Sequence, residues 1–126
     1  MHELSIIHSI AEAAAEELQR RGNRHKVEAI ELKIGALAGI ELETIEFLWS
    51  AAVADSALDG AELQIVHVPG EGLCNDCGHR FALEYFYDPC PKCNSRLIQI
   101  TAGDELKIQS LTLVDAVPAA SSNAIL

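Results

Sequence analysis

Two stretches of the chain have apolar residues at steps of three and four, which is typical of amphipathic helices with one buried face. The first has apolar residues at Leu4, Ile7, Ile10, Ala11, Ala14 and Leu18. It is predicted to end at Arg20-Arg21, which complements the carbonyl end of a helix, before a Gly22-Asn23 cap. The second is predicted from about Glu41 to Asp59-Gly60. Its buried face is expected to contain Leu42, Ile45, Leu48, Trp49, Ala52 and Val53.

Alternation of apolar and polar residues predicts the strands. Ile30, Leu32 and Ile34 form the apolar face of the first strand, which lies between the two helices. Three more strands are predicted over about residues 61–68, 96–101 and 105–114.

The order of these elements predicts an α+β fold. Between Val27 and Val68 the order is strand, helix, strand. This order suggests that the helix forms a crossover connection and that the two strands pair in parallel. We expect a small mixed three-stranded sheet with two helices on one face, and an inserted four-cysteine zinc-ribbon domain. The predicted boundaries are 1–69 and 104–115 for the α/β domain, 70–103 for the insert and 116–126 for a disordered tail.

All four cysteines of the chain lie in two motifs with the spacing C-x2-C-x12-C-x2-C. Two C-x-x-C pairs can place four thiolates around one tetrahedral zinc ion, which leaves no open position for a substrate. Gly78 and Asn94 follow the two motifs, and both residue types tolerate the left-handed backbone that turns N–H groups toward the sulfurs. The spacing predicts a structural zinc site. Its ligands are Cys74, Cys77, Cys90 and Cys93. The alternatives are two disulfides or a redox-active dithiol protein.

The charge of the chain opposes contact with nucleic acid. Nine basic and nineteen acidic residues give a net charge of −10. Between Glu71 and Arg96, three basic residues stand against four acidic ones, so the cysteine region does not reverse this balance. No secretory signal opens the chain, and no apolar stretch approaches the ~18 residues of a membrane span. We therefore expect a cytoplasmic protein, in which reduced thiols are free to bind metal.

Motifs of the common enzyme classes are missing from the sequence. It contains no phosphate-binding G-x-x-x-x-G-K loop, no G-x-S-x-G elbow and no cysteine beyond the four predicted ligands. Most carboxylates fall on the polar faces of the predicted helices. We therefore expect a protein that is not an enzyme.

The N-terminal residues offer a second kind of metal site. The amine of Met1, the backbone nitrogen of His2 and the His2 imidazole can form adjacent chelate rings around one ion. Such planar, nitrogen-rich donors suit Ni(II) or Cu(II). Glu3 could complete the site, although an exposed histidine followed by a favourable charge at a helix N-terminus explains the same residues. The residues alone leave both interpretations open.

Five motifs of the chain together resemble the HypA/HybF family. They are Met1-His2-Glu3-Leu4-Ser5, Leu32-Lys33-Ile34-Gly35, the two cysteine motifs, and Gly103-Asp104-Glu105-Leu106. The resemblance extends over about residues 1–114. Members of this family are nickel metallochaperones for the maturation of [NiFe]-hydrogenase, so the resemblance implies a nickel-binding domain that carries a zinc domain.

The resemblance also implies ligands and partners. His2 is the first nickel ligand that it implies, with Met1 and Glu3 beside it, and Glu41 is a further candidate at the start of the second helix. The implied partners are a HypB-type maturation GTPase and the precursor of the hydrogenase large subunit. A zinc-ribbon adaptor that binds protein and carries no nickel is the competing hypothesis.

Overall fold

The computed structural model describes residues 2–116, so Met1 and all but the first residue of the predicted tail lie outside the described residues. The described chain contains two helices and six strands. Their order is α1 (Glu3–Arg20), β1 (His25–Gly35), α2 (Leu42–Ala52), β2 (Glu62–Val68), β3 (Gly70–Cys74), β4 (Arg80–Leu83), β5 (Ile98–Ala102) and β6 (Leu106–Asp115). Within residues 2–116, no helix combines the length and the apolarity that crossing a membrane requires.

The chain divides into two compact units. The first unit contains Leu32–Ile40 and Ile65–Lys107, and the second contains His2–Glu31, Glu41–Gln64 and the described part of Ile108–Leu126. Strands β1, β2 and β6 each contribute residues to both units. The predicted domain boundaries, which assign whole strands to one domain, stay a prediction.

Strands β2, β1 and β6 form a three-stranded sheet in that order. The N–H group of Ala36 donates to the carbonyl of Val68, so β1 and β2 end at the same edge of the sheet. The N–H of Gly35 donates to the carbonyl of Glu105, so β6 begins at that edge and runs in the opposite direction to β1. The sheet is therefore mixed, as the order of elements predicts, and the predicted α+β fold with two helices is confirmed.

The core of the second unit is built by the apolar faces of the two helices and the first part of β1. Its buried residues are Ile7, Ile10, Ala11, Ala14, Leu18, Val27, Ile30, Ile45, Trp49, Val53, Leu58 and Ala61. The Trp49 indole N–H donates to the carbonyl of Ala61 at 3.3 Å, which satisfies its only polar atom inside the core. The predicted cap of α1 is confirmed, because Gly22 and Asn23 have positive φ angles of 83° and 57°.

Leu4 does not belong to this core, contrary to the prediction, since 46% of its surface is exposed. It lies in the first turn of α1, next to Glu3. The carboxylate of Glu3 accepts a hydrogen bond from the N–H of Glu41 at 3.2 Å. The two helix N-termini therefore meet here through a polar contact.

The predicted end of α2 is also wrong, because the helix stops at Ala52 and residues 53–60 form turns. Asp55 has a positive φ of 63°, which interrupts a right-handed helix. The Ser56 hydroxyl donates to the Val53 carbonyl and accepts from the N–H of Leu58. These bonds form a turn that places Leu58 in the core, where it is fully buried.

A second three-stranded sheet, in the order β4-β3-β5, forms the cysteine-containing part of the first unit. Both pairings of β3 are antiparallel, and its register with β5 shifts at Glu71/Gly72. Strand β5 agrees with the predicted strand over 96–101, whereas β3 and β4 were not predicted. Only Pro69 separates β2, which ends at Val68, from β3, which begins at Gly70.

Candidate functional site

The four cysteine side chains converge on one point in the first unit. Cys74 ends β3, while Cys77, Cys90 and Cys93 lie in the turns that flank β4 and precede β5. Their sulfur atoms all lie within 4.8 Å of one another. Among the described residues, this is the only group of three or more histidine, cysteine or acidic side chains that could hold a metal ion.

The two cysteine motifs fold into matching turns. In the first, the N–H of Cys74 donates to the carbonyl of His79 and the N–H of Gly78 donates to the carbonyl of Cys74, both at 2.9 Å. The second motif repeats this pattern from Cys90, with Ser95 as the acceptor at 2.9 Å and Asn94 as the donor at 2.8 Å. Gly78 and Asn94 have φ angles of 78° and 63°, so the predicted left-handed backbone is confirmed at both positions.

The distances between the sulfurs fit a tetrahedral thiolate centre. Cys74 Sγ lies 3.6 Å from Cys93 Sγ, and Cys77 Sγ lies 3.7 Å from Cys90 Sγ. Four sulfurs at the usual zinc–sulfur distance of about 2.3 Å would be separated by about 3.8 Å. A disulfide requires about 2.05 Å, and all four thiols are free in this structure. The donor set and its geometry therefore fit one closed site with four cysteine ligands.

Backbone N–H groups face the sulfurs and prepare the site for a cation. The N–H of Cys77 donates to Cys74 Sγ and is the main cause that lowers the pKa of the Cys74 thiol to about 7. The N–H of Ser95 favours the thiolate of Cys93, but desolvation and the three neighbouring sulfurs outweigh it and raise the pKa of Cys93 to about 12. Neighbouring thiolates oppose one another's ionisation, and a cation between the sulfurs would favour the ionised form of all four.

Polar contacts link the two cysteine motifs to each other and to the chain that follows them. The Ser95 hydroxyl donates to a carboxylate oxygen of Asp76, so the second motif is bonded to the first. The N–H of Asn75 also donates to the carbonyl of Leu97 at 2.9 Å. The sequence analysis did not identify these contacts, because nothing in the spacing of Asp76 and Ser95 indicates that they meet.

The candidate nickel ligands within residues 2–116 lie in the second unit, where the N-termini of α1 and α2 meet. His2 immediately precedes α1, and its carbonyl accepts from the N–H of Ile6. The contact between Glu3 and the N–H of Glu41 brings together two of the residues that the family resemblance selected. This N–H is the main cause that lowers the pKa of the Glu3 carboxyl below 4.5, so Glu3 is anionic at neutral pH. Met1 lies outside the described residues.

The fold and the cysteine centre define a small α+β protein with a closed four-thiol metal site. Comparison with known proteins identifies its family. Residues 1–113 match the family described as "Hydrogenase/urease nickel incorporation, metallochaperone, hypA". The chain therefore belongs to the HypA family of nickel-incorporating metallochaperones, as its five motifs predict.

Individual relatives agree with this assignment. The chain is 43% identical to the hydrogenase maturation factor HypA of Prosthecochloris aestuarii, over 90% of this chain and 99% of the relative. It is 41% identical to the protein of the same name from Parabacteroides distasonis, over 90% and 97% of the two chains. The solution structure of the Ni metallochaperone HypA from Helicobacter pylori superposes with a TM-score of 0.66 at 28% identity, over 91% of this chain and 99% of that chain.

Proposed function

We propose that this chain binds Ni(II) at its N-terminus and delivers it during the maturation of [NiFe]-hydrogenase. The ligands are His2, the amine of Met1 and Glu3, with Glu41 as a further candidate. The observation that carries this proposal is the hydrogen bond between the Glu3 carboxylate and the N–H of Glu41. It holds an anionic side chain beside His2, and a divalent cation would compensate that charge.

Zinc is the metal that we propose for the four cysteines. The sulfur separations of 3.6 and 3.7 Å support a tetrahedral thiolate site, which is closed to substrate. The centre therefore has a structural role. Nickel is the cargo, which binds elsewhere and leaves again.

The proposed role is that of a carrier rather than a catalyst. Family membership supports transfer of nickel through protein contacts, with the hydrogenase large-subunit precursor as recipient. The sequence contains no phosphate-binding loop, so a separate GTPase of the HypB type would supply nucleotide hydrolysis. We propose that these steps take place in the cytoplasm.

Calorimetric titration with nickel tests the ligand assignment. His2→Ala should abolish high-affinity nickel binding, while the far-UV circular dichroism and the zinc content stay unchanged. His8→Ala is the matched control, because His8 is an exposed histidine on the same helix. Unchanged nickel affinity in His2→Ala would contradict the carrier mechanism and favour a zinc-ribbon adaptor that binds only protein.

A second experiment tests the Met1 amine. An N-terminal extension converts this amine into an amide and moves the chelate away from the chain end. Nickel binding should weaken strongly, and a tag at the C-terminus should leave it unchanged. Equal nickel affinity of the two tagged proteins would exclude the amine from the ligand set.

A further inference from the structure

Phe47 is the most exposed large apolar side chain of the described residues, with 84% of its surface accessible. It lies on α2, whose residues Ile45 and Trp49 are buried. An α-helix turns by about 100° per residue, so Phe47 lies about 200° around the helix from Ile45, on the outer side. This side also carries the exposed residues Glu43, Glu46, Ser50 and Ala51. We call these five residues the outer α2 face.

The helix itself does not require a phenylalanine at this position. Phenylalanine has a lower helix propensity than alanine or glutamate, and a side chain this exposed adds little packing. A single exposed apolar residue is nevertheless common on protein surfaces. The charge around Phe47 is the second observation, and it indicates what would cover this side chain.

The segment that contains the outer α2 face is acidic throughout. Residues Glu41–Gln64 include six carboxylates and no lysine or arginine. Within residues 2–116, the ion pairs join Glu17 to Arg20 and Arg21, so the carboxylates of Glu43 and Glu46 form none. An aromatic side chain beside two uncompensated carboxylates is complementary to an apolar pocket with a basic border.

We propose that the outer α2 face docks a protein partner whose surface holds an apolar pocket bordered by lysine or arginine. Phe47 fills the pocket, and Glu43 and Glu46 face the cations. Interfaces commonly derive most of their affinity from such a central aromatic residue, while charges at the rim steer the encounter. A second copy of this chain is the wrong occupant, because each copy has a net charge of −10 and the two faces would repel.

Site-specific photocrosslinking in cells of the source organism tests this surface. The photoreactive residue p-benzoylphenylalanine is introduced at position 47 of the full chain and, as a control, at position 86. Phe86 has the same side chain, is 66% exposed and lies in the first unit. Position 47 should crosslink to one protein at a point beside lysine or arginine residues, and position 86 should not yield this product.

Binding to the purified crosslinked protein then separates the aromatic and the ionic contributions. Phe47→Ala and the pair Glu43→Lys with Glu46→Lys should each raise Kd at least about thirtyfold, which is the lower limit of an interface hot spot. Phe86→Ala should leave Kd within about twofold, and Kd of the unaltered chain should rise with NaCl. All variants should keep their zinc and their nickel affinity, which separates this proposal from the proposed function.

Several outcomes would overturn the proposal. They are the absence of a crosslink at position 47, a crosslink to a second copy of the chain, equal products from positions 47 and 86, and a Kd that does not depend on salt. A loss of nickel binding in Phe47→Ala would also overturn it, because the face would then belong to the nickel site.

Discussion

Three glycines in the first unit allow backbone segments to approach one another closely. A Cβ atom on Gly35 would lie 2.0 Å from the carbonyl oxygen of Gly103, and one on Gly103 would lie 2.5 Å from the Cα of Gly70. The N–H of Leu37 donates to the same Gly103 carbonyl at 2.6 Å. Gly35 and Gly103 belong to motifs that support the family resemblance, but their positions in the sequence give no sign that they meet in the fold.

Gly35→Ala should lower the free energy of unfolding by at least about 2 kcal/mol, because the new methyl group meets backbone atoms that cannot move alone. Gly39→Ala is the control. Gly39 has a φ of +75° but no atom within 4 Å of the added Cβ, so this variant should lose only about 1 kcal/mol from backbone strain. Urea unfolding of the zinc-loaded proteins measures both values. Equal losses would show that the close approach does not matter.

The pKa of the Glu3 carboxyl should be lower in the folded than in the unfolded protein, because its charged form accepts the N–H of Glu41. The hydrogen bond therefore stabilises the folded protein fully above the unfolded-state pKa of about 4.5. This stabilisation is lost as the pH falls through the lower pKa that Glu3 has in the folded protein. An NMR titration of the side-chain carboxyl carbon measures this pKa. A Glu3 pKa at or above 4.5 would contradict the hydrogen bond.

At the scale of elements, periodicity predicted those in which apolar and polar residues recur at helical or strand spacing. Helix α1 and strands β1, β2, β5 and β6 are confirmed close to their predicted positions. Strand β3 escaped prediction because two of its five residues are Gly70 and Gly72, which have low strand propensity. Both are buried, and a Cβ on Gly72 would lie 2.8 Å from a methyl carbon of Ile98, so close packing rather than propensity determines this strand. Strand β4 has only four residues, too few to show an alternation.

The cysteine centre was predicted more fully than the elements that carry it, because the spacing of the ligands is itself the signal. The proposed N-terminal nickel site is the reverse case. His2 and Glu3 carry no distinctive spacing, and the meeting of Glu3 with Glu41 depends on how two helices pack. The residues alone leave Ni(II) or Cu(II) binding open beside an ordinary exposed histidine, and the family resemblance favours nickel.

Removal of one cysteine should unfold the strands β3, β4 and β5 without unfolding the helices. Cys74→Ala or Cys93→Ala leaves three thiolates, so zinc should be lost together with the structure that it supports. Metal analysis and far-UV circular dichroism measure these losses, while fluorescence of the buried Trp49 reports on the second unit and should not change. Lys92→Ala is the control, since its side chain is exposed within the second motif. Stoichiometric zinc in either cysteine variant would contradict the four-thiolate site.

At the scale of the whole molecule, the composition gives the net charge but not how that charge is divided between the two units. The count that follows leaves out any charge on the cysteines. The described part of the second unit carries thirteen carboxylates against four lysine and arginine residues. The first unit carries six against five. The units alternate along the sequence, so this asymmetry emerges only once the fold assigns each segment to its unit.

Salt should therefore stabilise the second unit, because its charge is predominantly negative and screening relieves the repulsion. The expected rise in Tm between about 0.02 and 0.3 M NaCl is about 2–4 °C, which corresponds to about 0.5 kcal/mol in a domain of this size. Fluorescence of Trp49, the only tryptophan, follows this unit selectively. The double variant Glu43→Gln with Glu46→Gln removes two of the uncompensated charges, so it should start from a higher Tm and gain less from salt. A Tm that falls with salt, or an equal gain in the double variant, would mean that repulsion at these carboxylates does not limit the stability of the unit.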